Sequence, residues 1–483
     1  MKAFLLFVKK HYIVFVILAF ALYIVIGAMA PFAVQKQAEP GENVFNREDY
    51  YAQESAPECT DRAHVVEENL EAMEMRLRML NEAQERVIIS TFDIRQDEST
   101  RDLAAALMDA ADRGVKIEIM VDGFNGLVHM EWSPFFYAIS SYPGIEIRLY
   151  NPINLLTPWK LQGRMHDKYV ICDDKLMLLG GRNTFGYFIG DYPTNSKSYD
   201  REVLIYNTDY ENGTKNSVIS QVEEYFYGIW DSSLCKPFHN KESLANRRSV
   251  RLKLEAIKER WPDVQEHYAN CYTEYSYKEN TVAIQKATLI SGETGIYGKK
   301  PYVWDTLQSL MASAKEKVVI HTPYVVMDSH MLEGMAEIAE NVEYFSMVTN
   351  AVENGDNKVA PGDYMIHKKE ILDTGVQIYE FDGGESYHGK TILIDDNMSI
   401  IGSYNLDMRS TYMDTELMLA VQGEEFYQEL SQYTDGFQAK SRIIIDEDHY
   451  EMPEGMTPQE LPLQKKILFR VIGFLIQPFR YIA

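Results

Sequence analysis

Cysteine is scarce in this chain. Its 483 residues contain four, Cys59, Cys172, Cys235 and Cys271, and none forms a C-x-x-C pair, which argues against a structural zinc site. Cys172 lies in an apolar run and is expected to be a buried core thiol. If the body is extracytoplasmic, two of the other three could pair, and spacing does not say which. Positive charge is also in short supply: 47 Lys and Arg face 72 Asp and Glu, for a net charge of −25. So acidic a surface repels polyphosphate, which excludes broad nucleic-acid binding but not small basic pockets. No carboxylate cluster suited to a metal stands out, and no metal or cofactor is expected. Disorder is excluded by a composition that is 46% hydrophobic and 12% aromatic. The length suffices for about three domains of ordinary size.

Long apolar runs are missing except at one place. Residues 12–29, YIVFVILAFALYIVIGAM, form an almost unbroken run. At about 1.5 Å per residue it is long enough to cross a hydrocarbon core. Ala28-Met29-Ala30 resembles a signal-peptidase site, but Pro31 follows directly and the run is long for a signal peptide. The expectation is an uncleaved anchor. Lys2, Lys9 and Lys10 precede it, while Lys36, Glu39, Glu42, Asp49 and Glu54 follow. The charge bias puts the N-terminus in the cytoplasm and the body outside. At the other end, residues 463–480 carry Lys465, Lys466, Arg470 and Arg480 and no acid. Their apolar stretch is too short to span. It reads either as a helix lying at a lipid interface or as a helix docked on the body.

The order of the remaining elements divides the chain. Residues 1–34 are the anchor and 35–60 a polar, acidic stalk. Residues 61–235 and 286–445 form two lobes, joined by a charged helical connection at 236–285, and 446–483 form the basic tail. Cys59 to Arg86 reads as a helix on the pattern Val65, Leu70, Met73, Leu77, Leu80. A β-branched strand from Val87, a helix from Leu103 and a strand to Asp122 follow. The same order returns with a strand from Lys317, a helix from Met331 and a strand from Val342. Alternation of this kind predicts, in each lobe, a mixed, mostly parallel sheet flanked by helices, an α/β fold. Trp261-Pro262 should end the connecting helix.

What the chain does have, it has twice. His166-Asp167-Lys168 is followed by Asp173, Gly180-Gly181 and Asn183; His388-Gly389-Lys390 is followed by Asp395, Gly402-Ser403 and Asn405. Both copies read H-x-K-x4-D-x6-G-(G/S)-x-N, 222 positions apart (388 − 166). One such match could arise by chance, but two with identical offsets, each before an apolar strand, are not plausibly accidental. His and Lys two apart on a strand share a face. Two imidazoles can supply a nucleophile and an acid or base. Lys168 and Lys390 suit the non-bridging oxygens of a phosphodiester, and Asn183 and Asn405 add neutral donors. An attacking imidazole needs its other nitrogen held by an acceptor. A Glu opens the strand downstream of each motif, so Glu202 and Glu416 are the candidates to orient His166 and His388. Asp173 and Asp395 belong to the motif's site set, but at turns they serve lobe structure more than chemistry.

At these residues the chain resembles the phospholipase D superfamily, with two complete HKD motifs over roughly residues 60–440. It is most similar to bacterial cardiolipin synthases and their phospholipase D-like relatives. Arg164-Met165, Gly180-Gly-Arg-Asn183, Phe226-Tyr-Gly-Ile-Trp230, Gly402-Ser-Tyr-Asn-Leu-Asp-Met-Arg-Ser410 and Asp414-Thr-Glu416 all fit. The resemblance implies two lobes related by a pseudo-twofold axis and a covalent phosphohistidine. It makes His166 the nucleophile and His388 the general acid, then base. It further implies membrane phospholipids as substrates, with phosphatidylglycerol giving its phosphatidyl group to a second such molecule, or phosphatidylethanolamine serving as the other substrate. Two departures are visible: cardiolipin synthases often carry two N-terminal spans, and Glu202 stands where relatives often have Asp.

Four functions compete: a membrane-anchored phosphatidyltransferase, a hydrolase that intercepts the same intermediate with water, a nuclease, and a non-catalytic scaffold. The nuclease is disfavoured by the negative charge and the anchor. The motif alone does not separate the first two.

Overall fold

The computed structural model describes residues 11–39, 41–53, 58–194, 196–355, 357 and 359–482. Lys2, Lys9, Lys10 and Glu54, used above to orient the anchor, lie outside the described residues.

The first lobe is built on a nine-stranded sheet. Its strands are β1 (Asp61–Val66), β2 (Arg86–Thr91), β3 (Lys116–Asp122), β4 (Ile145–Tyr150), β5 (Tyr169–Cys172), β6 (Leu176–Gly180), β8 (Glu202–Asn207), β9 (Cys235–Pro237) and β10 (Val282–Ala283). The two-residue β7 (Ser198–Tyr199) stands apart from it. The order across the sheet is β10-β1-β8-β6-β5-β2-β3-β4-β9. The second lobe has β11 (Lys286–Ser291), β12 (Lys317–His321), β14 (Tyr344–Asn350), β15 (Gln377–Phe381), β17 (Lys390–Ile394), β18 (Met398–Gly402), β20 (Leu417–Gln422), β21 (Ser441–Ile444) and β22 (Tyr450–Glu451). Between these come the short β13 (Val325–Val326), β16 (Ser386–Tyr387) and β19 (Leu406–Asp407). Its order, β11-β20-β18-β17-β12-β14-β15-β21-β22, repeats the first lobe strand for strand from β1 to β9.

Each lobe is thus the α/β unit expected, but the sheet is not mostly parallel. Parallel pairing is confined to β2-β3-β4 and β12-β14-β15; their other neighbours run antiparallel. The physical reason is the hairpin inside each motif. Asp173 and Asp395 turn the chain at φ of 52° and 49°, so β5-β6 and β17-β18 pair antiparallel. Only the helix-linked strands can run parallel.

The motif strands are apolar on both faces because both faces are buried. Val170 and Cys172 face the helices of the first lobe, while Ile171 joins a core shared with the second. In the second lobe Ile392 and Ile394 face its own helices and Leu393 enters the shared core. The two sheets therefore meet through one face each, with the helices Ile219–Trp230 and Glu424–Gln438 packed into the same shared core. That arrangement brings the ends of β5 and β17 to a common edge.

Two readings of local structure are overturned. Residues 61–66 are a strand, not the start of a helix; the helix is Asn69–Glu82. Antiparallel pairing of β1 with β8, with alternating burial, outweighs the helical spacing of Val65 with Leu70. Pro262 does not stop the connecting helix, which runs Arg248–His267. Val250, Ile257 and Val264, seven apart, bury one continuous stripe on the first lobe. That burial offsets the ~3 kcal/mol an internal proline costs. Cys172, Cys235 and Cys271 are buried thiols and Cys59 is half-buried; no two described cysteines pair.

The apolar run forms the helix Tyr12–Met29, exposed along nearly its whole length. The C-terminal run forms the helix Leu463–Ile476, which docks on the body. Gly473 meets Gly362 of the helix Ala360–Leu372 backbone to backbone, and Arg480 donates to both carboxylate oxygens of Asp363 at 3.1 and 3.0 Å. Its outer side still exposes Leu468, Phe474 and Leu475.

The motif aspartates are lobe fasteners. Asp173 accepts backbone N–H bonds from Gln84, Glu85 and Arg86 at 2.8–2.9 Å. Asp395 does the same for Lys315, Glu316 and Lys317. Each ties the motif turn to the start of the neighbouring strand. Asp395→Ala is expected to lower stability by about 2–4 kcal/mol, three amides losing a charged acceptor. Urea denaturation of the purified protein checks this; Asp395→Asn, which keeps an acceptor and tolerates positive φ, should recover part of the loss.

Candidate active site

The geometry of the site follows from how the lobes interlock. His166 donates its backbone N–H to Thr415 O at 3.2 Å, and Thr415 returns one to Arg164 O at 2.9 Å. On the other side β16 pairs in parallel with β7, and His388 N–H donates to Tyr199 O at 2.7 Å. The segment before each motif histidine is thus stitched to the opposite lobe, one residue ahead of a carboxylate.

Those carboxylates hold the imidazoles. His166 Nδ1 lies 2.9 Å from Glu416 Oε1, and His388 Nδ1 lies 2.7 Å from Asp200 Oδ2. Each Nε2 is thereby the ring nitrogen left for chemistry. The expected partners are corrected on both counts. Glu416 orients His166 rather than His388, across the lobe boundary. Glu202 orients neither: it forms a buried ion pair with Arg76, Nη1 to Oε2 at 2.9 Å. Strand register explains the error. Glu202 pairs with Gly180 and Met418 pairs with the equivalent Gly402, so Glu202 matches Met418. Two residues earlier in each strand stand Asp200 and Glu416. Counting back from the paired glycine, rather than taking the acid that opens the strand, would have found Asp200.

The two carboxylates are held differently. Ser403 and Ser410 hydroxyls donate to Glu416 Oε2 and Oε1 at 2.5 and 2.6 Å. At the place of Ser403 the first lobe has Gly181, and a Cβ there would land on Asp200 Oδ1. The difference between Gly-Gly and Gly-Ser in the two motifs is therefore a fit to a short and a long acid.

Lys168 and Lys390 are buried beside their histidines, each donating to the carbonyl of its own motif histidine. Lys390 Nζ also rests 2.9 Å from His388 Nδ1. Burial disfavours charge on Lys168 and lowers its pKa to about 7, with Glu416 opposing. Burial likewise drives His166 well below the ordinary histidine value, reinforced by Lys168 and Lys390. Glu416 is raised to about 7 by burial against those lysines. Asp200 goes the other way: burial pushes it up, but His388, Lys390 and Arg182 together hold it below the usual carboxylate range.

Both histidines line one cleft of about 780 Å³, with Asn183. Asn183 and Asn405 each carry a buried side-chain oxygen without a hydrogen-bond partner. The walls are aromatic: Phe92 packs edge-on to His166 at 5.0 Å, and Phe188 and Tyr324 lie 5.0 and 6.0 Å from His388. The sequence carried no signal for these three, which come from loops outside the motif. Asp173 and Asp395, grouped with the catalytic residues on motif grounds, are spent on the backbone amides already described. The arrangement brings together two oriented imidazoles, two lysines and an apolar wall, a constellation suited to in-line transfer at a phosphodiester.

Comparison with known proteins agrees. The fold matches the crystal structure of phosphatidylserine synthase from Haemophilus influenzae Rd KW20, with TM-score 0.62 at 15% identity over 87% of this chain and 95% of that one. That likeness shows the same two-lobed fold. The family model "Cardiolipin synthase, PLD-like domain" matches residues 77–230 and 307–437, more than half of the chain, and the chain belongs to that family of phosphatidyltransferases. Cardiolipin synthase C of Escherichia coli K12 is 26% identical over 406 residues, covering 75% of this chain and 82% of its own. Cardiolipin synthase B of Salmonella typhi is 23% identical over 381 residues, covering 78% and 79%.

Gly181→Ala is expected to push Asp200 off His388 and cut turnover by about 10–100-fold, as loss of a histidine-orienting group does. Ser403→Gly, which removes one of two donors to Glu416, should cost less. Steady-state rates with unchanged circular dichroism check the pair.

Proposed function

We propose that the protein is a membrane-anchored phosphatidyltransferase of the cardiolipin synthase kind, which takes the phosphatidyl group from phosphatidylglycerol and passes it to a second phosphatidylglycerol. The observation that carries this reading is the unequal pair of carboxylate-held histidines in one aromatic cleft. His166 stays neutral, with Glu416 accepting from its Nδ1, so its Nε2 lone pair attacks phosphorus. The bond from phosphorus to the glycerol head-group oxygen breaks as the phosphorus–nitrogen bond forms. Asp200 stays ionised beside His388, which supports a protonated imidazole there; His388 Nε2–H protonates the leaving oxygen, and glycerol departs. The hydroxyl of the second phosphatidylglycerol then enters and gives its proton back to His388. Its oxygen attacks phosphorus and displaces His166. Lys168, Lys390, Asn183 and Asn405 hold the non-bridging oxygens throughout. The catalytic set is therefore His166, His388, Lys168 and Lys390, with Glu416, Asp200 and the two asparagines in support.

The setting supports a lipid substrate. The helix Tyr12–Met29 is long and apolar enough to cross a bilayer, and the cleft walls carry Phe92, Phe185 and Phe188 for an acyl-proximal or glycerol face. The cations that would meet phosphate are buried, within a body whose net charge is −25. The surface thus does not attract polyanions, while the cleft accepts one phosphate.

Purified protein in phosphatidylglycerol vesicles should release glycerol and form cardiolipin, read by mass spectrometry of the lipids. Phosphatidic acid alone would make the protein a hydrolase; no product from any common phospholipid would overturn the lipid assignment. The intermediate gives a second check. His388→Ala, lacking the base for the second step, should accumulate phosphate label on His166. Label on His388 in the reciprocal His166→Ala protein, with none on His166 in His388→Ala, would reverse the roles.

A further inference from the structure

We infer that the first lobe carries an apolar shoulder that enters the bilayer leaflet from which the anchor emerges, and that the shoulder holds the mouth of the active-site cleft against the lipid. The inference rests on the reading that Tyr12–Met29 crosses the membrane.

The anchor fixes the depth. Tyr23 OH donates to Leu156 O at 2.9 Å, and Gly27 packs directly on Pro158. Tyr23 lies six residues before Met29, the end of the helix, so at 1.5 Å per residue Leu156 sits roughly 9 Å deeper along the helix axis than the point where the helix stops. If the helix spans, a loop clamped there stands below the headgroups, in the outer part of the apolar layer. Its residues suit that layer: Leu155 and Leu156 are exposed, Leu156 by 71%, and Trp159 is half-exposed. In water that exposure would be a liability, and beside a spanning helix it is an insertion.

A second segment continues the surface. Gly123 fits against the backbone of Tyr150, Asn151 and Pro152, at the base of the same loop; a Cβ there would collide with Tyr150 O and Asn151 O. From Gly123 the chain runs helically to Met130 and exposes Phe124, Leu127 and Val128. It ends at Trp132, which is 76% exposed in a left-handed conformation at φ 60°. Holding a tryptophan there costs about 1–2 kcal/mol, and its backbone N–H is fixed on Tyr137 OH at 2.8 Å. An indole at a lipid interface would repay that display.

This segment also borders the site. Asn125 Nδ2 donates to Phe92 O at 2.9 Å, and Ser133 Oγ donates to Gln96 Oε1 at 3.2 Å; Phe92 and Gln96 both line the cleft. A phospholipid could then pass from leaflet to cleft without crossing bulk water. With a net charge of −25, apolar insertion rather than electrostatic adhesion must hold the body down.

The test uses the full chain in vesicles of phosphatidylglycerol and phosphatidylethanolamine. Phe124→Cys, Trp132→Cys and Leu156→Cys, each in a Cys59→Ser background, are labelled with an environment-sensitive dye. Glu85→Cys, at the opposite end of β2 from Phe92, is the control. Dyes at 124, 132 and 156 should be quenched by spin-labelled lipid and shielded from iodide, while the dye at 85 is not. Equal iodide access at all four positions overturns the inference, as does shielding without lipid quenching, which would mean contact between copies of the chain. A second arm measures turnover. Phe124→Ser/Trp132→Ser should lower the rate on vesicles about tenfold, the loss of roughly 1.4 kcal/mol of interfacial binding, but leave turnover of short-chain monomeric phosphatidylglycerol within about twofold. Equal loss on both substrates overturns it. The dye readout needs no turnover, so failure of the proposed reaction and failure of this inference are separate results.

Discussion

The site depends on one constraint: each catalytic-motif histidine takes its orienting carboxylate from the opposite lobe. Glu416 serves His166 and Asp200 serves His388. The backbone bonds from His166 to Thr415 and from His388 to Tyr199 set each pair one residue apart across the boundary. Neither half-site can therefore form in a lobe standing alone. The shared core between the sheets, with Ile171 and Leu393 facing each other's lobes, is what keeps those short cross-bonds in register. Packing, strand pairing and imidazole orientation are one mechanical system.

Burial sets the electrostatics of that system. An acidic protein holds Lys168 and Lys390 where water cannot screen them, so they act strongly on their neighbours. Burial and both lysines lower His166, while His388, Lys390 and Arg182 hold Asp200 below the usual carboxylate range. Glu416 responds oppositely because its burial outweighs those lysines, even with Ser403 and Ser410 donating to it. Similar charges thus yield opposite proton affinities on the two sides of a pseudo-symmetric cleft.

Much of this was legible beforehand. The duplicated motif marked both histidines, both lysines and the turn aspartates, and the recurring element order marked two α/β lobes. What escaped has definite causes. The parallel fraction of the sheets was overstated because the motif hairpins, turned by Asp173 and Asp395, impose antiparallel neighbours on the central strands. The carboxylate partners were misassigned because sequence distance does not reveal that two chains of contact cross between lobes. Asp200 was passed over for Glu202, which a buried Arg76 claims. Phe92, Phe188 and Tyr324 lie in loops whose position only the fold determines. Pro262 was read as a stop because a local rule was applied where a long buried stripe overrides it.

The contrast of Gly181 with Ser403 has a wider consequence. Two identical chains meeting on a twofold axis would give both imidazoles the same surroundings, so neither could specialise. Fusion into one polypeptide lifts that requirement. A shorter acid with a glycine beneath it on one side, and a longer acid clasped by two hydroxyls on the other, is a difference that only a covalently joined pair can inherit. The repeat in the sequence is thus a record of symmetry, and the places where it fails are where the two imidazoles meet different surroundings.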